Sequence, residues 1–271
     1  MGAIVSTQSV LVLLSAPEGA RATLQAAGDA ARALGTPTIT VLYVRLDPIS
    51  TLMPTEEVLT PERIRAVEAA SAVQGAAAYA AFSAWQAAGH QGEWTELVGE
   101  PAAELRRRGP DAALVVLTLP GPHSDLAERA ALEAAVFATG RPVLAVPADW
   151  KGGFGRHLAV GWRDSPDTRR ALSALRPWLL AAETVTVLTV TDAPPPPPDG
   201  PLANLPGRLA QRRVAPAGRG DGAALLAAAA DSGADGLAMG AYRHGRLVEF
   251  VLGGVTEYAL HYATLPLLLM H

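Results

Sequence analysis

Two stretches that repeat one pattern decide the fold: TITVLYV at residues 38–44 and TVTVLTV at residues 184–190. Each is a short run rich in β-branched residues, which is typical of a buried strand. A second apolar run precedes each of them, at residues 10–14 in the first case and at residues 158–162 in the second. The chain therefore carries the same pair of predicted strands twice, which indicates an internal duplication.

A helix is predicted between the two strands of each pair. In the first copy Pro17 opens the helix and Gly35 is the expected C-cap. In the second copy Ser165 precedes Pro166, an order typical of an N-cap followed by the first helical turn. Apolar residues recur at helical spacing in both segments, namely Leu24, Ala27, Ala31 and Leu34 in the first and Leu172, Leu175 and Leu179 in the second.

The two copies also end in the same way. Asp111 and Asp235 each precede an apolar strand, and each copy closes on a strand that begins at a proline, residues 142–146 and 266–270. The distance along the chain from aspartate to proline is the same in both copies, which a random apolar composition would rarely produce. Because strands alternate with helices, we expect right-handed crossovers and a mostly parallel sheet covered on both faces.

The middle of the two copies differs. The third strand is predicted near residues 94–98 in the first copy and near residues 213–215 in the second. A long helix that begins at Thr60 precedes it in the first copy, whereas a much shorter segment, residues 202–211, takes its place in the second. Five prolines at residues 194–198 lie ahead of that segment and are expected to act as a stiff spacer.

These patterns predict an α/β protein of two tandem, doubly wound domains. Each domain is expected to contain a five-stranded, mostly parallel sheet with helices on both faces. We place the first domain at residues 8–147, a glycine-rich linker at residues 148–155 and the second domain at residues 156–271.

The composition excludes several classes of function. The net charge of −4 offers no basic surface for nucleic acid at the level of the whole chain. Cysteine is absent, which excludes thiol nucleophiles and thiolate metal sites, and the six histidines are scattered without metal-ligand spacing. No apolar run is long enough to span a membrane and no secretory signal precedes the first strand, so we expect a cytoplasmic protein without a membrane partner.

Several motifs resemble those of one family. GADGLAMGAY at residues 233–242 and FVLGGVT at residues 250–256 are similar to the end of the fourth strand, the glycine loop and the start of the last helix of universal stress proteins. Residues 94–101 and 139–144 of the first copy are similar to the family as well. The resemblance covers nearly the whole chain and implies the tandem form, with two domains of the adenine-nucleotide alpha-hydrolase-like fold and a role in the stress response.

The resemblance also implies a site for ATP or a related adenine nucleotide, with Mg²⁺, in the second copy. Many family members hold the phosphates in a loop of three spaced glycines followed by Ser or Thr. The matching positions here are Gly240, Arg243, Gly253 and Gly254. Two of the four positions therefore depart from the family pattern, while Thr256 matches a second hydroxyl that family members place near the phosphates.

The adenosine end of this implied site lies where the first two strands of the second copy end. An Asp is usual there in the family, and the matching position holds Arg163, although a slip of one residue would place Asp164 there. Val190 would supply backbone contacts to the adenine. In full, the resemblance assigns to the nucleotide Trp162, Arg163, Asp164, Val190, Met239, Gly240, Arg243, His244, Gly253, Gly254, Val255 and Thr256. No catalytic residue and no metal ligand are assigned.

Arg243 bears on nucleotide binding in two opposite ways. A left-handed conformation costs a residue other than glycine roughly 1–2 kcal/mol, whereas a micromolar ligand is worth about 8 kcal/mol. Conformation alone need not abolish binding, but the bulk of the side chain would occupy the space of a phosphate. A guanidinium group is also a good phosphate partner, and Arg163 and Arg246 would add positive charge.

The first copy lacks the loop motif altogether, with Val116, Leu119, Arg129 and Ala130 at its positions, so we expect that copy to be structural or partner-facing.

Two functions from different classes stay open. One is a stress protein that binds an adenine nucleotide in its second copy, and the other is a ligand-free scaffold that recruits an unknown protein partner. A nucleotide hydrolase or ligase is the weakest hypothesis, because the sequence contains no recognisable motif that combines a base, a nucleophile and an orienting group. At most very weak ATP hydrolysis is therefore expected.

The resemblance further implies pairing of the two copies through their last strands, and we predict antiparallel pairing of residues 143–146 with residues 267–270. A homodimer of two whole chains is compatible with the sequence.

Overall fold

Ten strands form one sheet in the computed structural model, which describes residues 9–35, 38–46, 60–122, 124–190, 194–215, 220–241 and 254–271. In chain order the strands are β1 (Ser9–Leu14), β2 (Ile39–Arg45), β3 (Glu93–Val98), β4 (Ala112–Leu119), β5 (Val143–Pro147), β6 (His157–Trp162), β7 (Thr184–Val190), β8 (Arg208–Val214), β9 (Gly236–Gly240) and β10 (Leu267–Met270). Their spatial order is β3-β2-β1-β4-β5-β10-β9-β6-β7-β8. The first five and the last five strands share one internal order, which confirms the predicted duplication.

Helices cover both faces of the sheet. They are α1 (Ala20–Ala33), α2 (Pro61–Ala87), α3 (Pro101–Arg108), α4 (Leu126–Ala138), α5 (Pro166–Ala174), α6 (Arg176–Ala181), α7 (Asp221–Asp231) and α8 (Gly254–Tyr262). One buried apolar cluster joins the sheet to α1, α2, α5 and α6, and a second joins the opposite face to α3, α4, α7 and α8. The predicted doubly wound α/β class is therefore confirmed.

The predicted end of the first helix at Gly35 and the predicted cap Ser165 of the second agree with the structure, but the predicted start at Pro17 is wrong. α1 begins at Ala20, because Gly19 before it adopts a left-handed φ of +77° that a helix does not include. Gly35 follows α1 with φ of +62°, the left-handed conformation that favours glycine at a helix end. Ser165 caps α5, and its Oγ accepts a hydrogen bond from the Thr168 backbone N–H at 3.1 Å. The sequence predicted one continuous helix after Ser165, but the structure has two, α5 and α6, which meet at Leu175. The break occurs there because Pro177 has no backbone N–H and its ring would clash with the preceding turn.

The third strand of the second half differs from its prediction. β8 spans Arg208–Val214, whereas the sequence pattern predicted a strand at residues 213–215 and a helical segment at residues 202–211. Residues 201–204 form turns instead, and Pro206 cannot continue a helix beyond them. β8 is an edge strand whose residues are mostly exposed, so it lacks the apolar alternation by which a half-buried strand is recognised.

The two halves join through their last strands. β10 pairs antiparallel with β5, with Leu267 opposite Ala145, Leu268 opposite Leu144 and Leu269 opposite Val143. Every other neighbouring pair in the sheet is parallel. The predicted antiparallel pairing is confirmed, and the residues in it are almost completely buried.

On one face of the sheet, helices from both halves close this seam. Trp178 of α6 is 1% exposed, and its indole N–H donates to the Ala30 carbonyl of α1 at 3.1 Å. The buried Asp29 carboxylate accepts a hydrogen bond from the Phe154 backbone N–H at 3.0 Å. These bonds tie the first helix of one half to the other half and to the segment between the halves.

A single carboxylate anchors the start of the second half. Asp235, just before β9, accepts hydrogen bonds from the backbone N–H groups of Gly155 at 2.9 Å, Arg156 at 2.9 Å and His157 at 3.2 Å. Arg156 also forms an ion pair with Glu183 at 3.0 Å. In this way the segment that enters β6 is held against the strand next to it.

We predict that Leu268→Ala lowers the free energy of unfolding by about 2–5 kcal/mol, because Leu268 is fully buried at the seam and its removal leaves a cavity. Leu209→Ala is the control, since Leu209 is 43% exposed on the edge strand β8, and we expect a change within about 0.5 kcal/mol. Urea unfolding followed by circular dichroism measures both. Equal decreases in the free energy of unfolding of the two variants would show that burial at the seam contributes no special stability.

We predict that Asp235→Ala destabilises the chain by about 1–3 kcal/mol, because backbone donors around Arg156 lose their acceptor. Asp149→Ala, on an exposed turn, is the matched control and should change the free energy of unfolding by less than about 0.5 kcal/mol. The same urea titration compares them. An Asp235→Ala variant as stable as its control would show that water replaces the carboxylate without loss.

Candidate functional site

The strand order reverses once within each half, and these two points are the candidate sites. In the first half β1 lies between β2 and β4, and in the second half β6 lies between β7 and β9. The chain leaves the two adjacent strands toward opposite faces, which opens a crevice beyond their carboxyl ends. Three of the predicted nucleotide residues, Trp162, Val190 and Gly240, end strands at the crevice of the second half.

Three neighbouring strand ends form the base of the second-half crevice. Trp162 ends β6, Val190 ends β7 and Gly240 ends β9. Trp162 is 3% exposed, and its indole N–H donates to the Pro194 carbonyl at 3.0 Å, so the ring is held at the strand end. Met239 is 5% exposed and belongs to the apolar cluster on the other face of the sheet. The structure thus brings together the strand-end residues that the sequence grouped.

Arg163 and Asp164 lie in the short connection from β6 to α5, and both are exposed. The Asp164 carboxylate forms an ion pair with Arg169 at 2.5 Å. Ser165 next to it uses its hydroxyl to cap α5 and to bond the Thr168 hydroxyl at 3.0 Å. Among the described residues Arg163 has no ion-pair partner, whereas Asp164 would have to exchange Arg169 for a ribose hydroxyl.

The amino terminus of α8 completes this edge. Gly254 begins the helix and is exposed, and no atom of the described chain lies within 4 Å of the position that a Cβ would take. Val255 is half-buried, whereas Thr256 is only 3% exposed and so is turned into the protein rather than left open like Gly254. Arg243, His244 and Gly253, which the resemblance also assigns to the nucleotide, lie outside the described residues.

The corresponding crevice of the first half is a cavity of about 380 Å³ with an acidic lining. Three carboxylates, Glu18, Asp125 and Glu128, line it together with Arg45. Arg45 Nε lies 2.8 Å from the Glu96 carboxylate, so its charge is already compensated. Phosphate groups would therefore meet net negative charge at this edge, which is unfavourable at short range.

Tyr43 lies at the base of the same cavity and is 1% exposed. Burial raises the pKa of its hydroxyl above the ordinary value, and the nearby Glu96 carboxylate raises the pKa further. The phenol therefore stays protonated and uncharged near neutral pH. It offers a neutral hydroxyl and no positive charge for a phosphate.

The first-half loop between β4 and α4 is closed by its own side chains. Arg129 donates to the carbonyl oxygens of Gly121 at 3.1 Å, Pro122 at 3.3 Å and Ser124 at 3.3 Å. The Asp125 carboxylate caps α4 by accepting from a backbone N–H at 2.8 Å. This connection comprises residues 120–125, whereas residues 241–253 make the equivalent connection in the second half, which is more than twice as long.

The acidic character of the first-half crevice was not predicted from the sequence. A signal existed, since Asp125 followed three residues later by Glu128 is typical of a capped helix start. Glu18 and Arg45 carried no such signal, because only the fold brings them together. Among the residues that the structure describes, no group of three or more His, Asp or Glu side chains is arranged to hold a metal ion.

Comparison with known proteins gives a likeness of fold. Neither a protein-family model nor a curated protein matches the sequence. A universal stress protein from Archaeoglobus fulgidus matches 98% of this chain and 99% of its own length, with a TM-score of 0.64 at 14% identity. A functionally unknown protein from Pseudomonas aeruginosa matches 97% of this chain and 92% of its own length, with a TM-score of 0.57 at 11% identity.

The agreement extends over both halves, since nearly the whole of each chain is matched. In the part of the chain that the structure describes, no helix is both long enough and apolar enough to cross a membrane. The chain thus has the fold of a tandem universal stress protein, in which two copies of one α/β unit share a sheet through their last strands.

Proposed function

We propose that this chain is a universal stress protein of the cytoplasm and that its second half binds ATP or a related adenine nucleotide with Mg²⁺. The observation that carries the proposal is the contrast between the two crevices. The first-half loop is short, braced by Arg129 and capped by Asp125. The second-half connection is long and leads into α8 at Gly254, where no atom of the described residues lies within 4 Å of the position that a Cβ would take.

The amino terminus of α8 supports the phosphate end of this proposal. Its first backbone N–H groups have no partner within the helix, and the helix dipole favours an anion there. Because Gly254 has no Cβ, a phosphate can approach the backbone closely. Arg163, exposed at the neighbouring strand end, adds positive charge to the same edge.

The adenosine end would lie across β6 and β7. Trp162 and Val190 end these adjacent strands, and backbone groups at the end of β7 would contact the adenine. The ribose would meet Asp164, once this carboxylate releases Arg169. Met239 and Gly240, at the end of β9, would border the bottom of the crevice on its other side.

No catalytic role is part of the proposal. The hydroxyl of Ser165, the candidate nucleophile nearest this crevice, accepts from the Thr168 N–H and donates to the Thr168 hydroxyl. It is thereby committed to capping α5. The activity we assign is nucleotide binding rather than turnover. An unidentified protein partner would recognise the nucleotide-bound form of the chain.

We predict that Mg²⁺-ATP raises the melting temperature of the full chain and gives a saturable calorimetric isotherm. Gly254→Trp should abolish both, because the indole would occupy the phosphate position at the start of α8. Gly121→Trp is the matched control in the first-half loop, since Gly121 is also exposed with free space beside it, and its response to Mg²⁺-ATP should equal that of the parent. Loss of the response in both variants would contradict a site confined to the second half.

We further predict that Arg243→Gly, which restores the loop pattern of the family, changes affinity for Mg²⁺-ATP by no more than about tenfold, or 1.4 kcal/mol. Isothermal calorimetry on the parent and the variant measures this ratio. No binding by either protein would overturn the proposal and leave the ligand-free scaffold. Binding by the variant alone would show that Arg243 closes the site in the natural chain.

A further inference from the structure

The two faces of the seam between the halves are covered differently. On one face α1 and α6 pack together, with Trp178 bonded to Ala30. On the other face α4 packs on α3 and α8 packs on α7, each within its own half. A cavity of about 450 Å³ lies between α4 and α8. We call it the seam cavity; its walls include Leu132, Val136 and Phe137 of α4 and Leu260, His261 and Tyr262 of α8.

The seam cavity has the size and chemistry of a site for a small apolar molecule. Its volume lies within the range of roughly 300–1,000 Å³ that is usual for ligand pockets. Leu132, Val136 and Leu260 are buried apolar side chains, and they form its inner surface. Phe137 and Tyr262 also line the cavity, in ring contact with His271 and Tyr258, respectively. Tyr262 is 63% exposed, so an aromatic ligand would find ring surface to pack on.

Few polar groups reach this cavity. The Arg129 guanidinium is turned to the carbonyl oxygens of the 120–122 loop, and Glu133 stands on the same helix one turn away. One positive and one negative side chain at the rim favour a ligand without net charge.

His261 offers the cavity one hydrogen-bond acceptor. Its Nδ1 lies 2.8 Å from the Glu257 carbonyl oxygen. A carbonyl oxygen can only accept a hydrogen bond, so Nδ1 donates to it and Nε2 is the ring nitrogen that is left for a ligand. A ligand with one N–H or O–H group would complement that nitrogen.

We propose that the seam cavity binds a neutral, ring-containing small molecule with a single hydrogen-bond donor. Both halves supply walls, so the site exists only because the two copies are joined through β5 and β10. The proposal is independent of nucleotide binding, because the nucleotide crevice lies beyond the ends of β6, β7 and β9 and shares none of the cavity walls.

The test is a fluorescence titration with N-phenyl-1-naphthylamine, a neutral molecule with aromatic rings and one N–H. We expect saturable binding at one molecule per chain. Glu133→Trp and His261→Trp place an indole at the cavity from exposed positions, so neither should impair folding, and each should weaken binding by about tenfold or more. Val73→Trp, at a position 70% exposed on α2 and remote from the cavity, is the matched control and should bind like the parent.

Three results would overturn the proposal. The first is no saturable binding by the parent, and the second is equal binding by the parent and both cavity variants. The third is a change of oligomeric state, in which sedimentation finds the parent to be a dimer and the Glu133→Trp variant to be a monomer. The cavity would then be an interface between copies of the chain. Displacement of the probe by Mg²⁺-ATP is not expected, and its absence separates this test from that of the nucleotide site.

Discussion

The antiparallel pairing of β5 with β10 is the contact on which the rest of the structure depends. Each half ends in an apolar strand, and a separated half would leave that strand as an exposed edge open to other chains. Pairing buries both strands and also orients the halves in opposite directions within one sheet. The carboxyl ends of the strands in the two halves therefore lie at opposite sides of the molecule, so each crevice must hold any ligand with its own loops.

The two crevices share one backbone plan and differ in electrostatics. In the first half, Asp125 satisfies a free N–H of α4 and so competes with any phosphate for the helix terminus, while Glu18 and Glu128 add repulsion. In the second half, Gly254 at the start of α8 has no side chain of its own, and Arg163 is exposed nearby. The duplication thus preserved the order of the strands and most of the helices, whose burial stabilises the fold. α2 has no counterpart among the described residues of the second half, and the loops diverged in charge and length.

The part of this structure that the sequence could predict follows from local chemistry. Buried strands such as residues 184–190 show as β-branched runs, and the cap at Ser165 shows as a polar residue before a proline. β8 could not be recognised, because an edge strand with exposed arginines has no apolar alternation. The bond from Trp178 to Ala30 joins residues that are remote in the chain, and no local pattern records it. For the site, the family resemblance pointed to the ends of β6, β7 and β9, which the fold places side by side, but the ion pair of Asp164 required the fold.

The seam also explains why one face of the junction is closed and the other is open. α1 and α6 lie where the apolar side of each can reach the other half, and the large Trp178 ring fills the space between them. α4 carries alanines on the side that packs on the sheet, whereas α8 buries Thr256, Ala259 and Leu260, and each helix packs on α3 or α7 in its own half. The seam cavity lies between α4 and α8. Because an empty apolar cavity forgoes the dispersion contacts of close packing, this gap costs stability unless something of matching shape occupies it.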